Sequence, residues 1–230
     1  MRRAARSGIG LLGILVSLVI IFAIIIGNVY VYLVFRSNPN LFFGLINSAA
    51  NFPGGLLTAI FSPDTTVLDG SQTFADWYIG FAVALVVFFI VFLITNLGVD
   101  DREIGVRSLL YGPMLIVISI VSNVFSLARG QSSAGPSTAT FASMGLVLGF
   151  SILNSSIWLE RGHPKLQSAR EYVSTISSLA IVFGLVFLPL TSPIAFFNID
   201  PANKVDWVAH LFCFMIGAVI PFWYYTTKEA

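Results

Sequence analysis

Charge is what this sequence has least of. Asp, Glu, Lys and Arg make up 10% of the 230 residues, against roughly 25% in soluble domains. The 12 basic and 11 acidic side chains nearly cancel, leaving a formal net charge of +1. A basic face for nucleic acid is therefore not expected. Cysteine occurs once, as Cys213, which excludes an intramolecular disulfide and any metal site built from several thiolates. No metal cluster, nucleotide loop or cofactor motif is visible, so neither a metal nor a cofactor is expected. Only His163 and His210 supply imidazole. What is abundant is apolar: hydrophobic residues reach 57% and mean hydropathy is +0.89. A chain of this size cannot hide so much apolar surface inside a water-soluble globule, and the same composition excludes disorder. It is the composition of an integral membrane protein.

A helix needs about 20 apolar residues to cross a bilayer. Six uncharged stretches qualify: 9–35, 79–97, 108–128, 138–159, 175–197 and 208–226. The expected class is all-α, one membrane domain over 1–230. The first stretch exceeds the apolar core of about 7–15 residues found in cleaved signals, and is read as a retained span. If the N-terminus is cytoplasmic, the inside segments carry Arg2, Arg3, Arg6, Arg102, Arg107, Arg161, Lys165, Arg170 and Lys228. The outside ones then carry Arg36, Arg129 and Lys204. That bias predicts both termini in the cytoplasm of a multi-pass protein of the cell membrane. The first outside loop, 37–78, is the long one. Its apolar pieces Leu41–Ile46 and Leu56–Phe61, separated by Pro53-Gly54-Gly55, predict segments in or partly below the interface. Trp77 and Tyr78 follow where an aromatic belt belongs.

No Lys, Arg, Asp or Glu lies inside the predicted spans, which argues against a proton relay built on intramembrane carboxylates. His210 is the exception among ionisable groups, just inside the sixth span. A histidine there can simply bond a neighbouring helix, and Gly217 below it lets one approach closely. On the same side, Ser132-Ser133-Ala134-Gly135-Pro136-Ser137 reads most cheaply as a turn. Yet Ser137 opens the fourth span, and helix starts have free N–H groups. A serine beside free amides, facing a histidine, is the minimum for acyl transfer. Several Ser–His pairs can be drawn across six helices, so these two residues alone do not decide. Asp206 is read as a cap for the sixth span. Pro113, Pro189 and Pro221 are expected to kink or end helices.

The surroundings carry more. The chain resembles the rhomboid intramembrane serine proteases along nearly its whole length. Gly135-Pro136-Ser137-Thr138 matches that family's G-x-S-G motif at three of its four positions, and Ala209-His210-Leu211 matches its A-H motif. Phe141 stands where the family often has an aromatic packing on the histidine. Gly145 is a packing glycine in the family pattern, and Gly149 completes a Gly-x-x-x-Gly pair. Asp101–Gly105 resembles the family's acidic turn between the second and third spans. Ser119, Ser122 and Ser126 resemble its small polar positions in the third. The resemblance implies a six-span bundle with a membrane-embedded first loop. It implies Ser137 as nucleophile and His210 as general base, with Gly135, Ser133 and Phe141 shaping the site. Substrates would be single-pass or polytopic membrane proteins, cut near the extracytoplasmic face, with the submerged loop and fifth span controlling entry from the lipid bilayer.

The departures are also specific. The family's second span usually carries H-x-x-x-N, which helps bind the oxyanion; counting back from Asp101 places Leu85 and Phe89 there. Thr138 replaces the glycine after the nucleophile, and Pro136, which has no N–H, precedes it. Cys213 replaces a glycine and implies a wider gap between the fourth and sixth spans. The Trp-Arg pair often found in the first loop is absent. A helix-binding pseudoprotease therefore stands as the alternative, with a small transporter or channel behind it. Oligomeric state is not legible.

Overall fold

The computed structural model describes residues 2–37, 54, 58–61, 73–130, 136–160, 168–197 and 206–229. Every regular element among them is helical. The α-helices are α1 (Arg2–Ser37), α2 (Phe74–Thr95), α3 (Asp101–Ala128), α4 (Ser137–Glu160), α5 (Ala169–Thr191), α6 (Pro193–Phe197) and α7 (Trp207–Glu229). All but α6 are long and apolar enough to cross a membrane, six spans in all. The protein is an all-α, multi-pass integral membrane protein.

The boundaries differ from the hydropathy reading in physically explicable ways. The third span begins at Asp101 rather than 108, because Asp100 caps it, its carboxylate accepting from Glu103 N–H at 2.8 Å. The second ends at Thr95, where Asn96 folds back and donates from Nδ2 to the Phe92 carbonyl at 2.7 Å. The predicted fifth span, 175–197, is two helices. Ser192 has φ −142° and ψ 59°, since the residue before a proline is pushed out of the helical region. Pro113, Pro189 and Pro221 all lie inside helices and end none of them.

Helix α4 is the centre of the bundle and packs against α2, α3, α5 and α7. Its partnership with α7 is the closest. A methyl group at Gly145 would collide with the Phe214 carbonyl, and one at Gly149 with the Ala218 carbonyl. From the other side, a methyl at Gly217 would lie 2.6 Å from the Ala142 carbonyl. Backbone thus meets backbone along this seam. The wider gap expected from Cys213 does not occur, because Cys213 is turned toward Ser122 of α3 and stays out of the seam.

A second small-residue seam joins α1 to α3. Gly13 lies against the Gly105 carbonyl. The Ser17 hydroxyl donates to the Ser108 carbonyl and accepts from Gly112 N–H, one residue before Pro113. It serves the stretch of α3 that the proline disturbs. Of the first loop, the 3-10 turn Ala59–Phe61 sits against α1, α3 and α4. Ala59 and Ile60 are buried, and Asn28 Nδ2 donates to the Ile60 carbonyl at 3.2 Å. This piece of the loop is embedded in the bundle. Leu41–Ile46 and the Trp77 side chain lie outside the described residues.

Sequence reasoning missed a polar knot at the end of the bundle opposite Ser137. Arg107, only 3% exposed, bonds Glu103 at 2.9 Å and the Asn96 and Asn154 side-chain oxygens at 2.7 Å each. Glu103 also takes Lys228 at 2.7 Å and Tyr224 at 3.3 Å. Asn154 and Ser174 both donate to the Thr95 carbonyl. Residues of α2, α3, α4, α5 and α7, together with the turn after α2, are therefore tied by hydrogen bonds at one end.

Candidate active site

The N-terminal ends of α4 and α7 meet at the other end of the bundle. Ser137 is the first residue of α4. The Pro136 carbonyl accepts from Ala139 N–H at 2.9 Å and Thr140 N–H at 3.2 Å, which starts the helix. Pro136 fits this place because its missing N–H removes one donor that a helix start would leave unpaired. The N–H groups of Ser137 and Thr138 have no carbonyl four residues back within α4.

His210 lies in the first turn of α7. Asp206 sets that start: its Oδ1 accepts from Ala209 N–H at 3.2 Å, and its carbonyl from His210 N–H at 3.2 Å. Asp206 is itself held from α3. Ser126 donates to Oδ2 at 2.6 Å, and Arg129, just past the helix end, to Oδ1 at 2.9 Å. Burial works to raise the Asp206 pKa. The bonds from Ser126, Arg129 and Ala209 N–H, together with the Arg129 charge, outweigh it and hold the carboxyl below its ordinary value. Ser122 adds a bond to the Ala209 carbonyl at 3.4 Å, whereas Ser119 bonds within α3 to the Leu115 carbonyl.

With both helix starts so fixed, Ser137 Oγ stands 2.9 Å from His210 Nε2. The imidazole is buried, at 5% exposure, and stacks on Phe141 with centroids 4.4 Å apart and planes 18° apart. Its other nitrogen, Nδ1, lies 3.4 Å from the main-chain carbonyl of Phe197 in α6. No sequence pattern marks that carbonyl, because every residue has one. Ser137, His210 and Phe141 thus converge, and Gly145, Gly149 and Gly217 bring their helices together below them. Gly135, Ser133 and Ser132 lie outside the described residues.

Leu85 and Phe89 take no part. They are 0% and 2% exposed and belong to the apolar core, with Phe89 5.4 Å from the Tyr111 ring. Thr138 is buried, and among the described residues its Oγ1 has no hydrogen-bond partner. No group of three or more His, Cys, Asp or Glu able to hold a metal is found among the described residues. The arrangement can pass a proton from a hydroxyl to an imidazole beside a helix N-terminus, the chemistry of an activated serine nucleophile.

A family model described as Rhomboid domain matches residues 104–227, more than half of the chain. Neither a search of curated proteins nor a search of solved structures found a match.

Proposed function

The chain belongs to the rhomboid family, and from that premise we propose that it is an intramembrane serine endopeptidase with Ser137 as nucleophile and His210 as general base. The observation that carries the reading is the 2.9 Å contact between Ser137 Oγ and His210 Nε2 at the start of two membrane helices. His210 takes the hydroxyl proton as Oγ bonds the scissile carbonyl carbon. The oxyanion forms beside the first turn of α4, where the Ser137 and Thr138 N–H groups and the helix dipole favour negative charge. His210 then gives the proton to the leaving amine, and water releases the acyl group from Ser137 by the same steps in reverse order.

Substrates are membrane proteins whose spanning helices carry small or helix-breaking residues near the outer face, where the extended backbone needed for attack is cheapest to form. The proposed topology places both termini in the cytoplasm and Ser137 toward the outside of the cell membrane. Arg170 with Asp101 at 3.1 Å and Lys228 with Glu103 at 2.7 Å are consistent with one cytoplasmic end. Arg129 with Asp206, at 2.9 Å, belongs to the other.

One observation favours the non-cleaving alternative, a pseudoprotease that binds membrane helices. The positions where the resemblance calls for side-chain oxyanion donors hold buried Leu85 and Phe89, and losing one such donor costs about 10²–10³-fold in rate. Reconstitution with a single-span substrate helix separates the two readings. Cleavage by wild type and none by Ser137→Ala is the expected result. Equal binding of the helix to both proteins, with no product from either, would establish the pseudoprotease instead.

A further inference from the structure

We propose that the main-chain carbonyl of Phe197 is a positioning group for the dyad, holding His210 in the tautomer that carries its proton on Nδ1 and leaves Nε2 free to accept. The inference rests on the reading of Ser137 and His210 as a nucleophile–base pair. A neutral imidazole has one donor nitrogen and one acceptor nitrogen. The serine hydroxyl can donate or accept, so the contact at Nε2 alone leaves the tautomer open. A carbonyl can only accept, and the Phe197 carbonyl lies 3.4 Å from Nδ1. The opposite tautomer would turn two lone pairs toward each other around a ring that is 5% exposed. With Nδ1 as donor, Nε2 must be the acceptor, and Ser137 must point its O–H at it.

This is the role that a carboxylate fills in a serine triad. The carboxylate Asp206 is otherwise engaged, by Ser126, Arg129 and Ala209 N–H. When Oγ–H breaks and its proton moves to Nε2, the ring becomes cationic while Nδ1–H still donates to Phe197. A hydrogen bond from an ionised donor is stronger than a neutral one, so the contact strengthens as the reaction proceeds and lowers the barrier.

The carbonyl is held in place by its own helix. The break at Ser192 frees the chain from α5, and Phe196 N–H restarts it on the Ser192 carbonyl at 2.9 Å. The Phe196 and Phe197 rings then wedge between helices, 6.1 Å and 5.9 Å from Phe141 and 5.6 Å and 5.9 Å from Phe214. Phe141 belongs to α4 and Phe214 to α7, so α6 is keyed to both helices of the dyad. The aromatic that stacks on the histidine also locates the carbonyl that orients it.

The test is nitrogen NMR on purified protein with ¹⁵N-labelled histidine in the His163→Gln background, which leaves His210 as the one imidazole. Above the pH at which the ring protonates, Nδ1 is expected to resonate as the protonated nitrogen and Nε2 as the unprotonated one. A ring protonated on Nε2, or exchanging equally between the two forms, would overturn the proposal. The measurement needs no turnover. A protein that is never labelled by a serine probe yet holds its proton on Nδ1 would sink the proteolytic reading and leave the proton's position established. A second arm replaces Asn198 by its α-hydroxy analogue. That turns the Phe197 amide into an ester, weakens its carbonyl as an acceptor and changes no side chain. Appearance of the Nε2-protonated form, with labelling of Ser137 slowed about two- to tenfold as for the weakening of one hydrogen bond, supports the assignment. An unchanged tautomer and rate contradict it.

Discussion

Asp206 shows how much one side chain can settle at the start of a helix. It caps α7 four residues before His210 and ties that cap to Ser126 and Arg129. Burial pushes its pKa up, and those bonds pull it further down, below the ordinary 3.8. A depressed folded pKa means that the linked stability is fully present above the unfolded value. It is lost as pH falls through the folded one. Wild type should therefore lose thermal stability on acidification below about pH 4, whereas Asp206→Asn, which can still cap but carries no charge at the helix start, should start lower at neutral pH, by about 0.3–1 kcal/mol, and change less. Melting curves of the two proteins against pH check this; parallel curves would remove Asp206 from the account. At this scale the sequence was legible where side-chain type carries the meaning. Ser137, His210 and Phe141 could be named together only through the resemblance to the rhomboid motifs, since several Ser–His pairs can be drawn across six helices. The Phe197 carbonyl could not, since backbone groups leave no mark in a sequence.

Among the helices, the α4–α7 seam is the contact on which the dyad distance depends. Gly145→Val would put a side chain into the Phe214 carbonyl, where overpacking costs about 1–3 kcal/mol or forces the helices apart. Loss of Ser137 labelling together with a lower melting temperature is the expected result. Gly184→Ala in α5 is the control. Nothing lies within 4 Å of the added methyl, and helix propensity favours alanine by up to about 1 kcal/mol, so melting temperature and labelling should hold or rise. The spans themselves were legible because long uncharged apolar runs have one stable environment. Their ends were less so. Hydropathy runs smoothly from Thr175 through Phe197, yet the chain breaks at Ser192 because the residue before Pro193 is pushed out of the helical region. The Ser-Pro dipeptide was the available signal, and hydropathy outweighed it.

For the whole molecule, the two ends of the bundle are built differently. One end holds the dyad among aromatic rings. The other is closed by Arg107, whose guanidinium meets Glu103, Asn96 and Asn154 while the Phe150 ring lies 5.4 Å from it. Hydropathy starts the third span just after this arginine and so counts it with the charges of the connecting segment. Burial is decided by neighbours from distant parts of the chain, which hydropathy does not see. Arg107→Ala leaves several polar groups buried without their donor and should destabilise the fold by about 3–5 kcal/mol. Arg107→Lys should recover only part, since an ammonium cannot replace the planar fork; unfolding of all three proteins in denaturing detergent measures it. The proposed topology has a separate test. Cys213 is the one native cysteine and is buried, so introduced thiols report cleanly. In intact cells, an impermeant maleimide should label Gln131→Cys and spare Glu229→Cys; the reverse pattern would invert the protein in its membrane.

The central claim is that Ser137 is a nucleophile made reactive by His210. The most direct measurement treats purified, folded protein with a fluorophosphonate probe and maps the adduct by peptide mass. The account predicts modification at Ser137 in wild type and none in Ser137→Ala or His210→Ala. Absence of the adduct from folded wild type, beside an active rhomboid protease that is modified under the same conditions, would contradict it and leave a protein that holds membrane helices without cutting them.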